Sequence, residues 1–224
     1  MRYSIVFATL CASVVLAGCP REDSCNILTG GIYFTFGVVE KDGAATVTAS
    51  FNVGGPFGTA LSLGACGDDI AVNGIPLQEK RGAFVYYEAV LAPADLYTFE
   101  FTRDGEGPYV SEVTAPPPVT ITAPSAGTAV SRGAAFDITW ENNYETSPGI
   151  GLFIGGPCVQ GILRDIGDNG LYTINADELE LPDVTDSCDA TISLTRTTTG
   201  TMDPALGGTI YARSSDEVWI TSNP

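Results

Sequence analysis

The 224-residue chain contains no histidine. That absence removes the Ser-His-Asp triad, any cysteine nucleophile activated by imidazole, and every imidazole metal site from the chemistry this chain can perform by itself. Lysine is almost missing too. Lys41 and Lys80 stand alone, each between charged neighbours in stretches that read as exposed turns, which is poor ground for a Ser-Lys dyad. Basic residues number 10 against 27 acidic ones, a formal net charge of −17, and such a chain repels nucleic acid and anionic lipid headgroups. Charged residues are only 17% of the total, so Thr, Ser, Gly and Asn must cover much of the surface. Its long N-terminal apolar run, Tyr3 to Leu16, falls short of the roughly 20 residues that a membrane span requires.

What is present favours strands and turns. The chain has 26 Gly and 14 Pro, and 44% hydrophobic residues give material enough for one large core or two small ones. From Ile27 to Val113 the pattern has period two. In Thr46 to Val53 the apolar residues fall on odd numbers and the polar ones on even, so one face is buried and the other wet. Leu96 to Thr102 repeats this with Tyr97, Phe99 and Phe101 facing in. Ile32 to Val39 is aromatic and β-branched, and Glu40-Lys41-Asp42-Gly43 turns it into the next strand. Further strands are expected near 59–63, 69–72, 83–90 and 109–113.

Ala115-Pro116-Pro117-Pro118 interrupts the pattern, because successive prolines cannot donate to a ladder and hold the chain extended. A domain boundary is therefore placed at 115–118, with an elongated particle as its consequence. Beyond it, Val119 to Pro124, Gly127 to Gly133 and Phe136-Asp137-Ile138-Thr139-Trp140 read as opening strands, with later ones at 150–154, 170–174, 190–196, 209–213 and 218–221, and a helical turn at Ala176 to Glu180. This start resembles bacterial Ig-like or fibronectin-III-like β-sandwich modules. It departs from the antibody pattern, since Cys158 and Cys188 both follow Trp140 instead of flanking it.

Leu16-Ala17-Gly18-Cys19 closes the N-terminal apolar run, which follows Arg2 and breaks at once into Pro20-Arg21-Glu22-Asp23. The run reads as a signal-peptide core. The tetrapeptide resembles the lipobox of bacterial lipoproteins. That resemblance implies a diacylglyceryl thioether on Cys19, cleavage after Gly18 and acylation of the new amine, a partner in the lipid bilayer, and, with Pro20 in place of the aspartate that retains such proteins in the inner membrane, a place in the outer membrane. Two or three acyl chains hold essentially permanently where one binds only marginally. Cys25 lies so close to Cys19 that the first domain must sit near the bilayer.

Export makes disulfides the default for Cys25, Cys66, Cys158 and Cys188, which allow three pairings. With two domains the economical pairing is Cys25 with Cys66 and Cys158 with Cys188. A zinc site built from all four lacks the close paired spacing of zinc modules.

The acidic loops are the candidate sites. Asp165-Ile166-Gly167-Asp168-Asn169-Gly170 offers carboxylate oxygens of the kind calcium takes, and Asp183, Asp186 and Asp189 could converge with Asp165 or Asp168 on one cation. The same stretch fails the EF-hand pattern at Gly167 and Ala176, and Asn169-Gly170 is a strong turn signal. Asp68-Asp69 could be a glycosidase-like carboxylate pair, although adjacent strand residues point to opposite faces. Tyr86, Tyr87, Tyr109, Tyr144 and Tyr211 could stack on sugars or simply fill a sandwich.

The resulting expectation is an all-β protein, two antiparallel β-sandwich domains in tandem after a cleaved lipoprotein signal peptide: signal peptide 1–18, short lipidated tether 19–24, β-sandwich domain 25–114, Pro-rich linker 115–118 and Ig-like β-sandwich domain 119–224. The expected role is non-catalytic, binding or structural in the cell envelope, with no cofactor unless calcium, with envelope proteins or glycans as partners and no nucleic acid. The alternatives are a calcium-stabilised adhesion module and a carboxylate-dependent hydrolase of envelope polysaccharide. The non-catalytic reading expects every carboxyl to titrate at its ordinary value.

Overall fold

The computed structural model describes residues 22–64, 66–82, 84–142, 149–181 and 183–224. The stretch 1–18 expected as a signal peptide, Cys19 and Tyr144 lie outside the described residues. The strands are β1 (Glu22–Asp23), β2 (Ile32–Lys41), β3 (Ala44–Val53), β4 (Thr59–Ser62), β5 (Asp69–Val72), β6 (Ile75–Pro76), β7 (Gln78–Arg81), β8 (Val85–Leu91), β9 (Leu96–Arg103), β10 (Glu106–Thr114), β11 (Ile121–Ala123), β12 (Ala129–Ser131), β13 (Phe136–Trp140), β14 (Ile150–Gly155), β15 (Ile162–Ile166), β16 (Leu171–Ile174), β17 (Cys188–Thr199) and β18 (Gly207–Asn223). The chain is all-β, as its period-two pattern requires.

Two hydrophobic cores form. In the first, the sheet containing β2, β3 and β8 faces the sheet β10-β9-β5-β6. Alternation decides what meets there: Ile32, Phe34, Phe36 and Val38 of β2 and Val47, Ala49 and Phe51 of β3 are buried. Phe36 stacks on Phe99 at 4.7 Å between ring centres, and Phe34 meets Phe101 edge-on at 5.1 Å. Burying each such side chain stabilises the fold by about 1.5–3 kcal/mol. In the second core the sheet β11-β13-β16 covers β12, β14, β17 and the end of β18, around Ile138, Trp140, Leu152, Ile154, Ile192, Leu194 and Ile220.

One strand serves both cores. The stretches 209–213 and 218–221, expected as separate strands of the second domain, are parts of the 17-residue β18. Its first half, Gly207 to Ser214, pairs in parallel with Tyr33 to Glu40 of β2, while Tyr211 to Ser222 pair antiparallel with β17. Leu206, Ile210 and Ala212 accordingly belong to the first core. The physical reason is the length of the run from Ile210 to Ser222, which crosses the level of the linker with no Gly or Pro to break it. Parallel pairing also joins β1 to β4 and β12 to β18, so the sheets are mixed where antiparallel ones were expected. Gly37 is required at the seam, since a Cβ there would come within 2.9 Å of the Tyr211 ring.

The linker 115–118 is built into the fold. Ala115 N–H donates to Asp95 O, Val119 N–H donates to Ser214 Oγ at 3.3 Å, and the carbonyls of Pro117 and Pro118 accept from the buried Arg196 guanidinium. The helical turn expected at Ala176 to Glu180 is a hydrogen-bonded turn, with Glu180 N–H donating to Asp177 O.

Candidate functional site

The aspartates offered for calcium do not come together. Asp168 is consumed by structure. Its Oδ2 accepts from Arg196 Nε at 2.7 Å, and its Oδ1 accepts from Arg196 Nη2 at 3.0 Å and from Trp140 Nε1 at 2.6 Å. Arg196 itself is fully buried on β17 and also donates to Glu141 O at 2.8 Å. A carboxylate whose oxygens are held by a guanidinium and an indole is not free to ligate. Asp165 sits on β15, and Asp183, Asp186 and Asp189 are exposed in and beside the loop before β17. Among the described residues no group of three or more His, Cys, Asp or Glu is placed to hold a metal ion. Asn169-Gly170 makes the turn its sequence signals: Asn169 Oδ1 accepts from Leu171 N–H and Gly170 has φ +82°.

Asp68 and Asp69 are split in the same way. Asp68 is buried, with Oδ2 3.2 Å from Arg103 Nη2, yet neither of its oxygens receives an aligned hydrogen bond. Arg103 spends its protons on Ser24 O, Ile27 O and Thr29 Oγ1. Asp69 faces outward and accepts from Ile70 N–H. The two carboxyls serve different neighbours, so the glycosidase-like pair is not formed.

Both disulfides pair as the economical scheme expects, Cys25 with Cys66 and Cys158 with Cys188. A buried cation that the sequence did not announce sits against the second: Arg132 Nη1 lies 3.2 Å from Cys158 Sγ and 3.3 Å from Ser222 Oγ, and Nη2 donates to Val184 O at 3.0 Å and Asp186 O at 3.2 Å. Arg132 thereby ties β12, the disulfide and the loop before β17 into one unit.

Three glutamates are shifted, contrary to the expectation that every carboxyl titrates normally. At Glu79 burial raises the pKa, but hydrogen bonds from Arg81, Ser62 and Tyr87 outweigh it and hold the carboxyl below its usual value. Thr29 and then Tyr109 lower Glu106, and the Asn175 N–H lowers Glu178 against its own burial, with Arg164 assisting. All three shifts favour the ionised form, opposite to what a general acid needs. Burial, with Glu40 as acceptor at 2.5 Å, raises the Tyr97 phenol.

A polar cleft of about 650 Å³ lies where the linker passes between the two cores. The β2–β3 turn supplies Glu40, Lys41 and Asp42, β18 supplies Asp216, and Asp95 faces them beside the proline wall Pro116–Pro118. Lys41 Nζ is paired to Glu217 Oε1 at 2.7 Å, an interaction that raises its pKa, so the cleft presents mainly carboxylates. No sequence motif marked it, because its walls come from four separated segments. Of the tyrosines considered for sugar stacking, Tyr87 is buried, where its OH accepts from Leu63 N–H at 2.7 Å and donates to Glu79, and Tyr211 lies under the Arg213 guanidinium at 4.5 Å. The described tyrosines are therefore spread through the fold rather than gathered on one platform.

What these elements define is an all-β, disulfide-linked scaffold with two cores and one shared strand. No family model matches the chain, and no curated protein matches it. Among solved structures it is similar to the fibronectin(III)-like modules of CbhA from Clostridium thermocellum, with 15% identity and a TM-score of 0.29, covering 86% of this chain and 94% of that one. It is also similar to a chimeric titin Z1Z2-Z1Z2 tandem, with 12% identity and a TM-score of 0.30, covering 84% and 96%. Likeness at this distance bears on no residue and no activity.

Proposed function

We propose that this chain is a lipid-anchored, exported bacterial envelope protein, acylated at Cys19 and placed in the outer membrane, whose β scaffold has a non-catalytic binding or structural role. The observation that carries the reading is the sequence Leu16-Ala17-Gly18-Cys19, which ends three residues before the first described strand. The carboxylates support the non-catalytic part: Asp68 and Asp168 are each turned inward onto an arginine, and the shifted glutamates are held ionised. Such groups stabilise a scaffold. Partners are envelope proteins or glycans, and the acidic cleft beside the linker favours cationic surfaces over anionic ones. The test is expression of the full gene in a bacterial host fed labelled palmitate. The expected result is label in the membrane-bound protein and its loss, with release to the soluble fraction, in Cys19→Ser. An unlabelled wild-type protein rejects the anchor.

A further inference from the structure

One end of the first sandwich gathers side chains that a water-facing loop has no reason to carry. Among the described residues, four large apolar side chains are more than 70% exposed: Leu28 at 86%, Phe57 at 100%, Phe84 at 73% and Leu163 at 86%. Leu163 lies on β15, at the far edge of the long sheet. The register puts the other three at one end of that sheet. Val53 ends β3 opposite both Ile32, where β2 begins, and Thr59, where β4 begins, so the loop carrying Phe57 and the segment carrying Leu28 share that end. On the edge of β3 that β4 also uses, Ala49 pairs with Tyr87, and β8 runs back from there to the β7–β8 hairpin closed by Arg81 and Val85, which carries Phe84. Arg103, at the end of β9, donates to Ile27 O and Thr29 Oγ1 on either side of Leu28, fixing that segment in place.

Phe57 is presented by a shaped loop. Gly58 N–H donates to Gly55 O at 3.0 Å and Asn52 Nδ2 donates to Pro56 O at 3.2 Å, while Gly54 and Gly55 take φ of +90° and +101°, conformations that L side chains rarely adopt. A phenyl ring held fully in water by a defined turn gains nothing for the fold.

The chain's own attachment point indicates what covers this end. β1 pairs in parallel with β4, Glu22 beside Leu61 and Asp23 beside Ser62, and β4 runs away from the Phe57 loop, so Glu22 is the end of β1 nearer that loop. Cys19 is three residues before Glu22, a reach of at most about 10 Å. We propose that Leu28, Phe57 and Phe84 form a bilayer-docking tip: they enter the headgroup and upper acyl region of the membrane that holds the acyl chains of Cys19, fixing the protein upright on its first sandwich instead of leaving it to swing on a tether. This inference rests on the lipid-anchor reading. The occupant is a zwitterionic lipid surface: Glu22, Asp23 and Asp104 are exposed and disfavour anionic headgroups, while Arg81 beside the Phe84 hairpin is paired to Glu79 and Arg103 faces Asp68.

The experiment uses the full chain carrying Phe57→Trp, with Phe84→Trp as a second probe, extracted from membranes and reconstituted in zwitterionic vesicles whose lipids are brominated just below the headgroups. Acylation of Cys19 is read separately by intact mass. The native indoles, Trp140 and Trp219, belong to the second sandwich and remain unquenched. The added indole should lose at least about half its emission, because insertion of about 5–10 Å brings it to the bromines. Acylated protein with an unquenched indole at both positions overturns the tip and leaves the anchor standing. Unacylated protein whose indole is quenched on adding vesicles sustains the tip and rejects the anchor. Unacylated and unquenched protein rejects both.

Discussion

Removing either member of the Asp168–Arg196 pair strands a charge inside the second core. Asp168→Asn or Arg196→Met should each cost about 3–5 kcal/mol, read as a lowered urea midpoint. The double replacement should cost less than the two single costs added, because the charge and its partner leave together. Asp168→Asn should also shift Trp140 fluorescence, since the indole donates to that carboxyl. Calcium should leave the melting temperature within about 1 °C of its value in EDTA, for an ion bound only by the native state must raise it. A larger shift would restore the cation site.

At Glu79, Glu106 and Glu178 the folded pKa is depressed, so their contribution is present above the unfolded value near 4.5 and is lost as pH falls through the folded one. Stability should therefore decline below about pH 4.5, and Glu79→Gln should flatten the acid limb of a melting-temperature profile. Tyr87 and Tyr97 are raised, so their contribution is present below pH 10 and lost as pH rises beyond it. Little at this scale was legible beforehand. The acidic positions of the second half could be counted, but whether Asp168 met a cation or a guanidinium depended on Arg196, 28 residues away. Nothing in the sequence announced that Arg132 and Arg196 are buried, because the burial of an arginine leaves no trace in its neighbours' spacing.

Strand alternation survives translation into structure wherever one face of a run is apolar. Asp69–Val72 and Phe136–Trp140 form with the bounds that their patterns give. Gln78–Arg81 and Ile162–Ile166 escaped notice because edge strands need no apolar face: the first is wholly polar and the second carries Arg164 and Asp165. The cysteine spacing was similarly transparent, since each pair closes a loop inside one core. Replacing Cys158 and Cys188 together by Ser should cost about 3–4 kcal/mol in the chain-entropy view, and guanidinium unfolding would measure it. Ile210→Ala tests β18 itself. Ile210 lies in the half of the strand that faces the first core, and its loss should cost about 2–5 kcal/mol and loosen that core, which hydrogen exchange on β2 would register.

For the whole molecule, the shared strand and the pinned linker couple the two cores. Differential scanning calorimetry should show one cooperative transition, with the calorimetric enthalpy equal to the van't Hoff value. Two resolved transitions would mean that the cores melt as separate domains. The sequence alone could not foresee this coupling, because parallel pairing between residues near 35 and residues near 210 has no local signature, and a proline run looks the same whether it is a free linker or a built-in wall.

The pairing of β2 with β18 also sets an order of events during synthesis. The first core lacks Leu206, Ile210 and Ala212 until the last strand has been made, so the N-terminal half completes its packing only after β18 has left the ribosome. That closing step joins residues far apart in the chain, the kind of contact that slows folding most.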